Sequence, residues 1–137
     1  MPDLRGVLET SLYVADLERS RLFYSHLFGF PVLVQDTRFC ALDVGGRQIL
    51  LLFRTAATTT PMETSRGVIP PHGGSGQLHV AFAMDNGELE AWEQRLIEDH
   101  IPIESRLTWP RGGISLYFRD PDGHLLELVT PGVWATY

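Results

Sequence analysis

Apolar and polar residues alternate along residues 8–15 (LETSLYVA), the period-two signature of a strand with one buried face. Leu8, Thr10, Leu12 and Val14 fall on one side and Glu9, Ser11 and Tyr13 on the other. Asp16 then offers a helix N-cap. Leu17, Leu22, Phe23, Leu27 and Phe28 recur near helical spacing, and Gly29 stops the helix. Three more strands are predicted at Pro31–Gln35, Phe39–Val44 and Gln48–Phe53, with Gly45-Gly46 as a hairpin turn.

Residues 55–75 break this rhythm. They are rich in Thr, Pro and Gly, carry no periodicity, and read as a connector. A loop of that length is uncommon in a compact fold unless it has a task, such as covering a site. The opening pattern then returns. Gln77–Met84 alternates like a strand, Leu89, Trp92, Leu96 and Ile97 mark a helix over Glu88–Asp99, and Pro102–Leu107, Ile114–Phe118 and His124–Thr130 follow as strands. Gly112-Gly113 and Asp122-Gly123 mark turns. The expectation is an α+β fold in one domain, residues 1–137, built from two βαβββ modules at about 7–54 and 76–131.

Composition narrows the function classes. The chain has 137 residues, 44% of them hydrophobic and 20% charged, as expected of a globular protein with a substantial core. A net charge of −6 argues against nucleic-acid binding, which needs a basic face. The single cysteine, Cys40, excludes an intrachain disulfide and alternates with apolar residues as a small buried hydrophobe does. Met1–Gly6 has no apolar run, and no segment approaches the roughly 18 apolar residues of a membrane span. A cytoplasmic protein without membrane contact is expected.

The repeat also aligns candidate chemistry. Glu9 stands seven residues before Asp16, and His79 stands seven before Asn86, at the start of the second helix-like stretch. Both lie on the strand face that the apolar residues leave. Glu127, in the run Asp120–Leu128, projects opposite to Leu126 and Leu128. A carboxylate buried among aliphatic residues costs several kcal/mol unless it is compensated. A divalent cation would compensate Glu9 and Glu127 together, and one imidazole with carboxylate oxygens suits Zn, Mn, Fe, Ni or Co. Three protein ligands leave positions open for substrate. The plainer alternatives are a hydrogen-bonded structural histidine and glutamates at strand edges.

The run Leu12-Tyr13-Val14-Ala15-Asp16-Leu17, then Phe23-Tyr24 and Leu27-Phe28-Gly29-Phe30, resembles the opening of the vicinal oxygen chelate superfamily. That group includes glyoxalase I, extradiol dioxygenases, and fosfomycin and bleomycin resistance proteins. His79-Val80-Ala81-Phe82 and the stretch Tyr117–Glu127 are similar to its second-half signatures. The resemblance spans nearly the whole chain. It implies paired βαβββ modules forming a cupped mixed sheet around a metal site. It also implies a homodimer in which Glu9 of one subunit joins His79 and Glu127 of the other, although a site within one chain stays open. The family's first ligand is commonly His or Gln where this chain has Glu9. Aligning Gly46 with Gly123 sets Leu50 where a fourth, acidic ligand would stand, which departs from the glyoxalase I pattern. Tyr117, ten residues before Glu127, matches the fosfomycin proteins, whereas Leu107 sits where a basic residue is sought.

Around these ligands, Ser11, Tyr13, Trp109, Arg111 and Tyr117 are candidate substrate contacts. Arg111 could hold an anion in a bidentate contact. Glu127 is the candidate catalytic base. His26, His72, His100 and His124 are assigned no role. Two function classes result: a metal-dependent enzyme acting on a small oxygenated organic molecule, or a metal-free small-molecule binding or resistance protein of the same fold. A structural dimer with a filled cup is a third.

Overall fold

The computed structural model describes residues 1–137. The chain divides into two compact units, Met1–Ser75 and Gly76–Tyr137.

In the first unit, β1 (Glu9–Val14) leads into α1 (Leu17–Phe28), then β2 (Val32–Gln35), β3 (Phe39–Val44) and β4 (Gln48–Arg54). Asp16 caps α1 by accepting the Arg19 N–H at 3.0 Å, and Gly29 ends it in the left-handed conformation, φ 69°. The β3–β4 hairpin turns through Gly45 and Gly46, at φ 65° and 68°, values that a side chain would disfavour. The sheet order is β1-β4-β3-β2, with β1 parallel to β4 and the other pairs antiparallel. Leu12, Val14, Cys40, Leu42, Leu50 and Leu52 point to the buried side, where α1 packs with Tyr24 and Leu27. Each such aliphatic side chain taken out of water contributes about 1.5–3 kcal/mol. Cys40 is a core residue, as its alternation implied, and burial pushes its thiol pKa up.

Residues 55–75 are more than a connector. They contain a short hairpin, β5 (Met62–Thr64) paired with β6 (Gly67–Ile69). Its strands are three residues long and exposed on both faces, so no apolar alternation announces them. Thr64 closes the turn, donating its hydroxyl to the Gly67 carbonyl at 2.7 Å.

The second unit repeats the plan. β7 (His79–Ala83) is followed by a 3-10 turn (Asn86–Glu88), α2 (Leu89–Glu98), β8 (Ser105–Thr108), β9 (Ile114–Arg119) and β10 (Leu125–Val129). The order is β7-β10-β9-β8, again with a parallel first pair. Leu116 pairs with Leu128 and Phe118 with Leu126, and all four are buried. Several boundaries differ from expectation, among them β7, which runs His79–Ala83 rather than Gln77–Met84. The helix begins only after the 3-10 turn, and Glu88 gives it no side-chain cap. β8 begins at Ser105 rather than Pro102, although the Glu104 N–H already donates to the Tyr117 carbonyl at 2.7 Å. Asp120 organises the turn before β10, accepting the N–H groups of Asp122 at 2.9 Å and His124 at 2.8 Å. His124 is buried, and its Nδ1 accepts the Leu78 N–H at 2.9 Å, so it anchors the entry to β7.

The two registers correct one alignment. Glu9 lies opposite Ile49, and His79 lies opposite Leu125. Two residues on, Leu51 faces Ser11 as Glu127 faces Ala81. Leu51, not Leu50, therefore holds the position of Glu127, and Leu50 points into the core. Matching turn glycines fails by one residue because both loops hold three residues, and Gly46 is the second of its loop whereas Gly123 is the third of its own.

Asp16→Ala should lower the unfolding free energy by about 1 kcal/mol in urea titration, since the α1 N-terminus loses its side-chain acceptor.

Candidate functional site

In the second unit, the face away from the core carries His79, Tyr117, Ser115 and Glu127. Glu127 is only 6% exposed. Its two oxygens have different partners. Oε1 accepts the Ser115 hydroxyl, and Oε2 lies 3.3 Å from His79 Nε2. Ser115 is fully buried and accepts the Trp109 indole N–H at 2.7 Å. An indole can only donate, so the serine hydrogen is directed to the carboxylate. The resulting relay, Trp109 to Ser115 to Glu127, holds the carboxylate plane in place.

His79 is oriented from its other side. Its Nδ1 lies 2.9 Å from the Leu125 carbonyl oxygen. A carbonyl can only accept, so Nδ1 carries the hydrogen and Nε2 is turned toward Glu127. In a neutral ring this sets a nitrogen lone pair against a carboxylate lone pair. A cation between them, whether proton or metal, makes the arrangement favourable. A backbone carbonyl that fixes the tautomer of a ligating histidine is the usual outer support of a metal site. The donor set therefore fits a borderline or hard divalent ion. Within neither unit do three His, Cys, Asp or Glu side chains converge, so each unit alone supplies fewer than three such ligands.

Tyr117 lies beside Glu127 on β9, its ring centroid 6.4 Å from that of His79. Burial pushes its phenol pKa up, and the Glu127 charge adds to the shift, while a hydrogen bond with Ser115 opposes it. Tyr117 is thus a neutral hydrogen-bond donor across the ordinary pH range. Arg111 is exposed on the Trp109–Gly113 turn.

The corresponding face of the first unit has a different character. Glu9, Ser11 and Tyr13 line a cavity of about 620 Å³, together with Phe39, Leu51 and Phe53. Glu9 is exposed, so the expectation of a buried carboxylate holds for Glu127 and not for Glu9. The connector lines the cavity with Thr58, Met62, Ile69 and His72, and Arg38 of the β2–β3 loop adds a cation to it. The Tyr13 hydroxyl and His72 Nδ1 are 2.7 Å apart. The tyrosine ring stacks near Phe53, with centroids 6.0 Å apart, and His72 meets Phe53 edge-on at 4.6 Å.

A glyoxalase/bleomycin resistance protein/dioxygenase superfamily model matches residues 6–128. The chain belongs to this superfamily. Among its superfamily relatives, a lactoylglutathione lyase crystal structure from Agrobacterium tumefaciens superimposes with a TM-score of 0.88 at 32% identity, over 98% of this chain and 99% of that one. The metallothiol transferase FosB of Shouchella clausii is 28% identical, over 93% of this chain and 81% of its own. The glutathione transferase FosA of Serratia marcescens is 29% identical, over 91% and 80%. The α+β fold of paired βαβββ modules agrees with these superfamily structures, and each module forms its own four-stranded mixed sheet.

Ser115 and His72 are the site residues that pattern reasoning missed. Ser115 sits two places before Tyr117 on the same strand face, a signal that was available. His72 had no such signal, because it lies in aperiodic sequence.

Tyr117 should titrate above 10, the ordinary phenol value. Replacing Glu127 with Gln should lower that midpoint, read by ultraviolet difference titration against Tyr117→Phe. As pH climbs past 10, the unfolded phenol loses its proton while folded Tyr117 keeps it, so stability should fall there.

Proposed function

We propose that this protein is a metal-dependent enzyme of the vicinal oxygen chelate type that acts on a small oxygenated organic molecule. The carrying observation is the opposition of His79 Nε2 and Glu127 Oε2 at 3.3 Å, each held from behind by a group that leaves those atoms as ligands. His79 and Glu127 supply two ligands from the second unit. Glu9 of the partner subunit supplies the third in a homodimer. When bound, a divalent ion supplies Lewis acidity, polarising substrate oxygens and stabilising charge that develops on them.

The chain's own residues do the rest. Trp109 and Ser115 fix the Glu127 carboxylate. Glu127, a ligand through Oε2, is also the candidate catalytic base of the site, with its Oε1 held by the Ser115 hydroxyl. Tyr117 presents a neutral phenol as donor to a substrate oxygen. Ser11 and Tyr13 supply hydroxyls beside Glu9 in the first-unit cavity. Arg111, on its exposed turn, is the candidate contact for an anionic substituent. The superfamily relatives act as a lyase and as transferases by name.

A second reading, a metal-free binding protein, is favoured by the 620 Å³ cavity itself, whose aromatic wall needs no ion to hold a ligand. Metal content separates the two. Untagged protein prepared without chelator should carry stoichiometric divalent metal by mass spectrometry, and Glu9→Ala and His79→Ala should each lose it. Mixing and reannealing those two variants in equal amounts should restore about a quarter of the sites, because half of the dimers are then hybrids and one site of each hybrid has every ligand. No restoration would place the site within a single chain, and metal-free wild-type protein would favour the second reading.

A further inference from the structure

We infer that Met62 is an oxidation site: hydrogen peroxide converts its thioether to a sulfoxide, and Arg38 then holds the new oxygen at the wall of the first-unit cavity. This modification is independent of the metalloenzyme reading.

The chain has three methionines, and their surroundings differ. Met84 is a core residue, 6% exposed, whereas Met62 is 36% exposed at the start of β5 and lines the cavity. Arg38 Nη1 donates to Met62 Sδ at 2.9 Å. The guanidinium is itself held in place. Its Nη2 lies 3.2 Å from Asp36 Oδ2, and Asp36 accepts the backbone N–H groups of Arg38 at 2.6 Å and Phe39 at 3.0 Å. A thioether is a weak acceptor, so the contact with sulfur is a weak one. Yet it is the one hydrogen bond between the hairpin Met62–Ile69 and the rest of the unit. Both strands of that hairpin are exposed, so little apolar burial reinforces it.

Sulfur keeps a second lone pair for the reaction. That pair attacks one oxygen of the peroxide, the O–O bond breaks and an S–O bond forms. The departing hydroxide takes up the proton of the transferred oxygen, so water is released, sulfur is oxidised and the peroxide is reduced. Negative charge builds on the departing oxygen, and a guanidinium N–H beside the sulfur stabilises it. The product strengthens the contact that was there before. A sulfoxide oxygen is a better acceptor than a thioether, and its partner here is a cation. A flexible apolar group on the cavity wall thereby becomes a polar one, and methionine sulfoxide reductase reverses the change.

Chelator-treated full-length protein is exposed to hydrogen peroxide beside N-acetylmethionine amide, and sulfoxide at each methionine is followed by peptide mass spectrometry. Met62 should oxidise at least as fast as the free amide despite its partial burial, and ahead of Met84. Arg38→Ala should slow Met62 by about threefold or more, the worth of one modest hydrogen bond, and leave the free amide unchanged. Amide hydrogen exchange should then slow across the β5–β6 hairpin in oxidised wild type but not in oxidised Arg38→Ala. Reductase treatment should restore the original exchange rate. Met62→Leu, treated alike, should show no change in the hairpin, which separates Met62 from oxidation elsewhere. The inference is overturned if Met62 lags behind the free amide, if Arg38→Ala does not slow it, or if oxidation leaves hairpin exchange unaltered or faster. Metal content enters none of these readouts.

Discussion

Glu127 is a carboxylate almost out of water, flanked in sequence by two core leucines. Such a group persists only if both oxygens are engaged, and here a serine hydroxyl takes one while an imidazole nitrogen faces the other. Meeting that requirement recruits four strand and turn positions. Trp109 orients Ser115, Ser115 orients Glu127, and the Leu125 carbonyl orients His79. Much of the second unit's functional face follows from keeping one acid in place.

The duplication has diverged in a telling way. The same parallel first pair and the same alternation present equivalent positions in both units. In the second unit those positions carry Glu127, Ser115 and Tyr117. In the first they carry Leu51, Phe39 and Ala41. One face therefore gathers polar groups where the other is apolar, and Glu9, Arg38 and His72 are charged or titratable groups beside Phe39, Leu51 and Phe53 in the first-unit cavity. Such divergence at equivalent positions is consistent with a superfamily whose named members include a lyase and transferases.

Much of this was legible in the chain. Period-two alternation followed by helical spacing, twice over, defined the paired βαβββ plan, because burial on one face is a local property of each element. Asp16 and Gly29 bounded α1 through backbone hydrogen bonding that acts within a few residues. The side to which Glu9, His79 and Glu127 point also followed from alternation. The β5–β6 hairpin did not, because exposed three-residue strands have no buried face to write into the sequence.

What the amino-acid order determined by itself is thus which elements form and which face of each strand is apolar, since both depend on neighbours a few residues apart. Register was decided by tertiary pairing, which moved the counterpart of Glu127 from Leu50 to Leu51: the two hairpins are equally long, but their turn glycines stand at different places in the loop. Burial was decided there too: Glu9 and Glu127 have the same pattern in sequence, yet only Glu127 is enclosed. The Tyr13–His72 contact spans 59 residues. No local rule reaches that far, because the path of an aperiodic connector is set by the surfaces it meets.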